Sequence, residues 1–155
     1  MYIVKIDRNE YTENGVKHEY WGYSIFIDTV NIKTEVIRAR EKETDTRIMG
    51  YIRCYLWAME RIVGYFNVNP LKSDVVNVYF TNQNIVQWFN TGVVNKIYRI
   101  AFDKLMGYID CLPHDTVKIC QADRKWSFRN ELVSANIKRK RYKKLIDILN
   151  TELEE

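Results

Sequence analysis

The sequence predicts an α/β fold in which one mixed β-sheet carries helices on both faces. Apolar residues alternate in segments of the first 40 residues, and they recur at helical spacing from Ile48 to Phe66. The segment Val76–Trp88 is typical of a buried strand that turns directly into a helix. Three opening strands followed by alternating helices and strands give a five-stranded sheet, with three antiparallel strands and then two parallel ones.

Length and composition indicate one domain that spans residues 1–155. Of its 155 residues, 46% are hydrophobic and 28% are charged, the balance of a folded globular protein. No apolar run approaches the roughly 20 residues that span a bilayer, so we expect no membrane partner. Cys54, Cys111 and Cys120 form no CxxC pair. We expect them to be buried free thiols in a cytoplasmic protein.

The N-terminal part is predicted to form three strands. The first covers Tyr2–Ile6, and the polar segment Arg8–Glu19 follows, with Asn14-Gly15 as a turn signal. Tyr20–Asp28 alternates apolar and small or polar residues, as a strand with one buried face does. Asn31–Arg40 can pair with it as a hairpin or meander.

A long helix is predicted next. Thr44-Asp45-Thr46 supplies candidate N-caps, apolar positions then recur to Phe66, and Asn67–Ser73 with Pro70 ends the helix. The remaining predicted elements are a strand at Val75–Phe80, helices at Gln83–Phe89 and about Asn95–Ile109, a strand at Thr116–Cys120, and a basic C-terminal helix over about residues 128–150.

This element order, together with four short matches, resembles the ribonuclease H fold of type 1 over nearly the whole chain. Trp21–Ile25 resembles the beginning of the family's second strand, and Thr44–Arg47 resembles the segment that begins its first helix. Val78–Trp88 resembles the family's strand followed by Thr-Asp-Ser, and Asn130–Leu132 resembles the Asn-Glu that opens its last helix.

The resemblance implies a site for two-metal hydrolysis of a nucleic-acid phosphodiester, built from four carboxylates and two Mg²⁺ ions roughly 4 Å apart. The four positions fall on Asp7, Met49, Asn82 and Ser134. No Asp or Glu lies within three residues of Met49 on its C-terminal side, and none lies within seven residues of Asn82. We therefore expect a degenerate site without catalytic residues or a cofactor, a pseudo-enzyme in which Asp7 is at most a weak metal ligand.

Three of these residues also admit purely structural roles. Asp7 suits a turn or capping position at the end of its strand. Asn82 suits the N-cap of the helix that follows it. Met49 beside Ile48 suits packing against the core.

The strongest electrostatic feature is the tract Lys138–Lys144, in which six of seven residues are basic. Such a helix suits contact with a phosphate backbone, or it serves only as a solubilising face. The preceding loop interleaves cations with rings, a combination that suits single-stranded nucleic acid and equally a protein interface. The candidate binding residues are Arg124, Lys125, Trp126, Arg129, Lys138, Arg139, Lys140, Arg141, Lys143 and Lys144.

These observations lead to three functional hypotheses. The first is a non-catalytic module that binds nucleic acid or a protein–nucleic acid complex. The second is a protein-interaction or inhibitor module that blocks a nucleic-acid-processing partner; a composition rich in Ile, Asn, Lys and Tyr is compatible with a phage or mobile-element origin. The third is a metal-dependent nuclease with a relocated site, using Asp7, Glu10, Asp45 or Asp123.

Overall fold

The computed structural model describes residues 1–39, 46–70, 75–112, 116–122 and 148–149. The predicted helix over residues 128–150, its basic tract and the loop before it therefore lie almost wholly outside the described residues. The single-domain assignment for residues 1–155 and the helix on the second face of the sheet remain predictions.

Five strands form one mixed sheet in the order β3-β2-β1-β4-β5. The first three, β1 (Tyr2–Glu13), β2 (Val16–Ile27) and β3 (Val30–Ala39), are antiparallel. β4 (Val75–Phe80) lies parallel to β1, and β5 (Thr116–Gln121) lies parallel to β4. This arrangement confirms the predicted five-stranded mixed sheet.

The first two strands are longer than the hydrophobic pattern predicts. The segment Arg8–Glu19 was expected to be a polar connection, but β1 and β2 continue through it to a two-residue loop. That loop, Asn14-Gly15, has φ angles of 52° and 75°, the left-handed conformation that two-residue hairpin loops favour. The correction moves Asp7 from the end of a strand to a position inside β1.

Among the described residues, one helix lies between β3 and β4 in the chain and two lie between β4 and β5. α1 (Arg47–Val68) begins at the predicted N-cap Thr46, whose side chain accepts a hydrogen bond from the backbone N–H of Met49. α2 (Gln83–Thr91) ends at Gly92, which adopts a φ of 73°. The predicted helix over Asn95–Ile109 is a 3₁₀ turn at Lys96–Tyr98 followed by α3 (Arg99–Asp110).

A chain of aromatic rings shows that all three helices share one core with the sheet. The ring of Tyr55 on α1 lies 4.3 Å from that of Phe80 on β4, measured between centroids. Phe80 stacks on Phe89 of α2 at 5.8 Å, and Phe89 contacts Phe102 of α3 at 4.6 Å. Within the described ranges, none of these helices has both the length and the apolar composition needed to cross a bilayer.

The cysteines differ from the expectation of three buried thiols. All three are free, but only Cys54 is fully buried; Cys120 is half-buried and Cys111 is exposed. Cys111 follows the last residue of α3, where the helix reaches the surface, so its thiol does not pack in the core.

Candidate functional site

Asp7, the first of the four positions, lies inside β1 opposite Gly22 of β2 and is only 6% exposed. Its Oδ1 accepts a hydrogen bond from the backbone N–H of Arg8 at 2.8 Å. The Cys54 thiol of α1 donates to the Asp7 carbonyl oxygen at 3.4 Å. Burial, and secondly the charge of Asp7, raise the pKa of Cys54, so this thiol stays protonated.

Met49 occupies the first turn of α1. Its backbone N–H donates to Thr46 Oγ1 at 3.2 Å, and the Thr46 hydroxyl also hydrogen-bonds the Tyr98 hydroxyl at 2.8 Å. The Met49 side chain is half-buried and packs against the core. A thioether is a poor ligand for Mg²⁺, which prefers oxygen. Met49 therefore has the packing role that its sequence context allowed.

Asn82 follows β4 and is the N-cap of α2. Its Oδ1 accepts a hydrogen bond from the backbone N–H of Ile85 at 3.1 Å. Its own backbone N–H donates to the Tyr55 hydroxyl at 2.9 Å, and that hydroxyl also hydrogen-bonds Thr81 Oγ1 at 3.2 Å. The capping role that the sequence allowed for Asn82 is thus the one observed.

A buried ion cluster that sequence reasoning missed lies beside these positions. Arg8 Nε donates to Glu19 Oε1 at 2.6 Å, and the Trp21 indole N–H donates to the same oxygen at 2.6 Å. A second Arg8 nitrogen contacts Glu10 Oε1 at 3.1 Å. The Arg8 side chain is only 12% exposed and that of Glu19 only 8% exposed.

The first turn of α1 accommodates this cluster because residue 50 is glycine. A Cβ atom on Gly50 would lie 3.3 Å from Arg8 Nε, which is tighter than ordinary van der Waals contact. The guanidinium also lies 5.2 Å from the centroid of the Tyr51 ring. A fixed positive charge therefore stands next to Met49, at the helix turn where the family resemblance places a metal-binding glutamate.

The ligands that the described residues supply do not fit a pair of divalent cations. Asp7 supplies one carboxylate, Met49 supplies sulfur, and the Asn82 oxygen already caps a helix. Glu10, a candidate for a relocated site, is ion-paired with Arg8. Among the described residues, no group of three or more His, Cys, Asp or Glu side chains is arranged to hold a metal ion.

Several predicted site residues lie outside the described residues. These are Ser134, the relocated-site candidates Asp45 and Asp123, and every candidate binding residue from Arg124 to Lys144. Their proposed roles remain predictions from the sequence.

Comparison with known proteins identifies the fold. No family model and no curated protein sequence matches the chain. The solved structure of RNase H1 from the halophilic archaeon Halobacterium salinarum NRC-1 is 10% identical, with a TM-score of 0.61 over 86% of this chain and 98% of that one. LC11-RNase H1 in complex with an RNA/DNA hybrid is 16% identical, with a TM-score of 0.63 over 85% and 93% of the two chains.

A third similar structure is the foamy viral protease-reverse transcriptase in complex with an RNA/DNA hybrid. It is 9% identical, with a TM-score of 0.54, and the match covers 78% of this chain and 17% of that one. At such identities the likeness establishes the fold alone. The chain has an RNase H-like fold, as its element order and local matches predicted.

Proposed function

We propose that this RNase H-like domain is a non-catalytic module that binds nucleic acid or a protein–nucleic acid complex. The observation that carries the proposal is the hydrogen bond between Asn82 Oδ1 and the backbone N–H of Ile85. Asn82 Oδ1, the oxygen that would have to bind a metal, accepts this hydrogen bond at the N-terminus of α2. That end of a helix carries partial positive charge, which disfavours a cation there.

Charge balance supports the loss of metal-dependent catalysis. Two Mg²⁺ ions repel each other strongly, and a two-metal site holds them together with several carboxylates. Asp7 alone supplies one negative charge, while the Arg8 guanidinium beside Gly50 adds a positive one. Glu10 and Glu19 form ion pairs with Arg8, so neither carboxylate replaces the missing ligands that would offset the repulsion between two dications.

Nucleic acid is supported as the partner by two kinds of observation. LC11-RNase H1, whose fold this chain shares, and the foamy viral protease-reverse transcriptase, of which the chain matches 17%, are both solved with an RNA/DNA hybrid. The sequence adds six basic residues within Lys138–Lys144 and the Trp126 loop before them. Cations that track a phosphate backbone, combined with rings that stack on bases, bind without requiring hydrolysis.

Two measurements test the proposal. Purified protein incubated with a labelled RNA/DNA hybrid in Mg²⁺ or Mn²⁺ should leave the substrate intact, and cleavage that disappears in Asp7→Asn would show that the site is active. Fluorescence anisotropy should show salt-dependent binding to single-stranded, duplex or hybrid oligonucleotides. The proposal fails if nothing binds at low salt and wild type equals a variant with alanine at Lys138, Arg139, Lys140 and Arg141.

Exposed apolar side chains close together in the sequence favour a second candidate, the protein-interaction or inhibitor module. Val93, Ile97 and Ile100, which precede or begin α3, are 73%, 77% and 87% exposed. Contiguous exposed apolar side chains mark many protein-binding surfaces, and these three residues are candidates for such a surface. Affinity capture from host lysate distinguishes the candidates, because a stoichiometric protein partner that survives nuclease treatment and is lost in Ile97→Asp with Ile100→Asp favours this one.

A further inference from the structure

A cleft between α1 and the edge of the sheet is lined by none of Asp7, Met49 and Asn82. It has a volume of about 500 Å³, within the range of small-molecule sites. One stripe of α1 forms one wall, at Trp57, Glu60, Arg61 and Gly64, which share a face because they are three or four residues apart. The other wall comes from β2 and β3. We call this space the α1–β3 cleft.

The strand wall of the α1–β3 cleft is held in place by a hydrogen-bonded carboxylate. The Tyr23 hydroxyl donates to Glu35 Oε2 at 2.7 Å, and Arg61 Nε lies 3.6 Å from Glu35 Oε1. Tyr23 also packs on Trp57, with their ring centroids 5.6 Å apart. The ring contact orients Trp57, and the Glu35 carboxylate faces one nitrogen of Arg61.

The remaining groups present three kinds of recognition chemistry. Trp57 and Tyr65 line the cleft with half-buried rings, which offer flat surfaces for stacking. Lys33 and the terminal nitrogens of Arg61 are donors for an anion, while Glu35 offsets part of the Arg61 charge through its contact with Nε. Glu60, which is exposed, supplies a carboxylate that accepts from N–H donors.

We propose that the α1–β3 cleft binds one nucleotide, with the base stacked on Trp57 or Tyr65 and the phosphate held by Lys33 and Arg61. A flat base joined to an anion matches both features of the cleft, and aromatic and guanidinium surfaces stack on unpaired bases in many nucleic-acid sites. The Glu60 carboxylate can accept two hydrogen bonds from guanine, whose N1–H and exocyclic amino group are adjacent, and only one from adenine, cytosine or uracil. The inference deepens the proposed nucleic-acid function, although the nucleotide can be free or part of a strand.

A substitution at Gly64 can test the cleft, because this glycine lines the cleft and is not required by a close contact with another residue. A Cβ atom at this helical position would meet nothing within 4 Å. Replacing glycine in a helix removes a cost of about 1 kcal/mol, so Gly64→Leu should fold at least as well as wild type while filling the cleft. Gly107 on α3 is a matched control, since it is also helical, lies outside the cleft and has nothing within 4 Å of a Cβ position.

The experiment measures binding of CMP, GMP, AMP and UMP, and of a single-stranded oligonucleotide, by calorimetry and tryptophan fluorescence. Wild type and Gly107→Leu should bind GMP saturably with affinities within about twofold, whereas Gly64→Leu should bind GMP at least about tenfold more weakly, a loss of 1.4 kcal/mol or more. AMP, CMP and UMP should bind more weakly than GMP. Equal binding of GMP and UMP would overturn the role of Glu60.

The outcomes separate this inference from the proposed function. Oligonucleotide binding that is unchanged in Gly64→Leu, with no saturable binding of any mononucleotide to wild type, overturns the cleft inference and leaves the binding module intact. Mononucleotide binding that Gly64→Leu abolishes, without oligonucleotide binding, supports the cleft as a free-nucleotide site and refutes the strand-binding module. Loss of both mononucleotide and strand binding in Gly64→Leu supports the cleft as part of the strand-binding surface.

Discussion

Removing the Asn82 side chain tests whether this residue acts as a helix cap or as the remnant of a metal site. Asn82→Ala deletes the oxygen that accepts from the Ile85 N–H at 3.1 Å and leaves the backbone contact with Tyr55 in place. Loss of an N-cap costs about 1 kcal/mol of unfolding free energy. For a domain of this size, that corresponds to a melting temperature about 2–4 °C lower. Asn82→Asp retains the acceptor and adds a negative charge at the N-terminus of α2, which should be neutral or stabilising.

Thermal and urea unfolding, followed by circular dichroism with and without Mg²⁺, measure both effects. Asn95→Ala is a matched control, because Asn95 Oδ1 caps only the short 3₁₀ turn through the Ile97 N–H at 3.1 Å. Its loss should be smaller, at about 0.5 kcal/mol. The reasoning is refuted if Asn82→Ala is as stable as wild type. It is equally refuted if Mg²⁺ raises the melting temperature of wild type or of Asn82→Asp, since the oxygen would then be available to a metal.

Three further predictions concern the ion cluster, alkaline stability and salt dependence. Arg8→Met should destabilise the fold by about 3 kcal/mol in urea unfolding because it leaves Glu19 buried without its cation. Adding Glu19→Gln removes the buried charge and keeps an acceptor for the Trp21 indole N–H, so it should recover much of the loss; no recovery would mean that packing rather than charge dominates. Burial raises the pKa of Tyr55 well above its ordinary value near 10, so its contribution to stability is complete below about pH 10 and is lost as pH rises towards the folded-state pKa. Tyr55→Phe should therefore be less stable at pH 8 yet lose stability less steeply above pH 10, and parallel curves would contradict this. If Lys138, Arg139, Lys140 and Arg141 contact phosphates, the binding constant of the variant with alanine at all four should depend less on salt concentration. For a single strand, the slope of log K against the log of salt concentration should fall in magnitude by up to about 0.7 per contact. An unchanged slope would assign the tract to solubility.

The order of the described elements was predictable because each has its own local signal. The apolar segment Val75–Phe80 predicts a strand, and Asn82 is a candidate cap for the helix after it; the structure confirms both. Hydrophobic alternation failed at Arg8–Glu19, where it fades although the strands continue. That hairpin carries paired polar side chains, so its strands are held by the ladder and by ion pairs rather than by an apolar face.

The ion cluster of Arg8, Glu10 and Glu19 can be predicted from the sequence only through the turn between β1 and β2. A two-residue loop at Asn14-Gly15 fixes the register, which places Arg8 opposite Trp21 and Glu10 opposite Glu19. The role of Gly50 could not be predicted from the sequence, because the close approach of α1 to Arg8 depends on how the helix crosses the sheet. Local pattern determines pairing within a hairpin, whereas packing between layers depends on the whole fold.

The position of Asp7 inside β1, rather than at its end, changes what the retained carboxylate implies. A residue at a strand end can turn or cap without constraint from the sheet, but Asp7 is paired with Gly22 of β2, one residue beyond the last β1–β4 pair at Ile6 and Phe80, and is almost fully buried. Meanwhile the next residue, Arg8, extends to the first turn of α1, where Gly50 makes room for its guanidinium. One strand thus brings a buried anion and a neutralised cation to the same end of the fold. Glu19 and Glu10 already balance that cation, so their charges are used by Arg8. A single carboxylate added at Asn82 therefore does not rebuild a two-metal site unless Arg8 is changed as well.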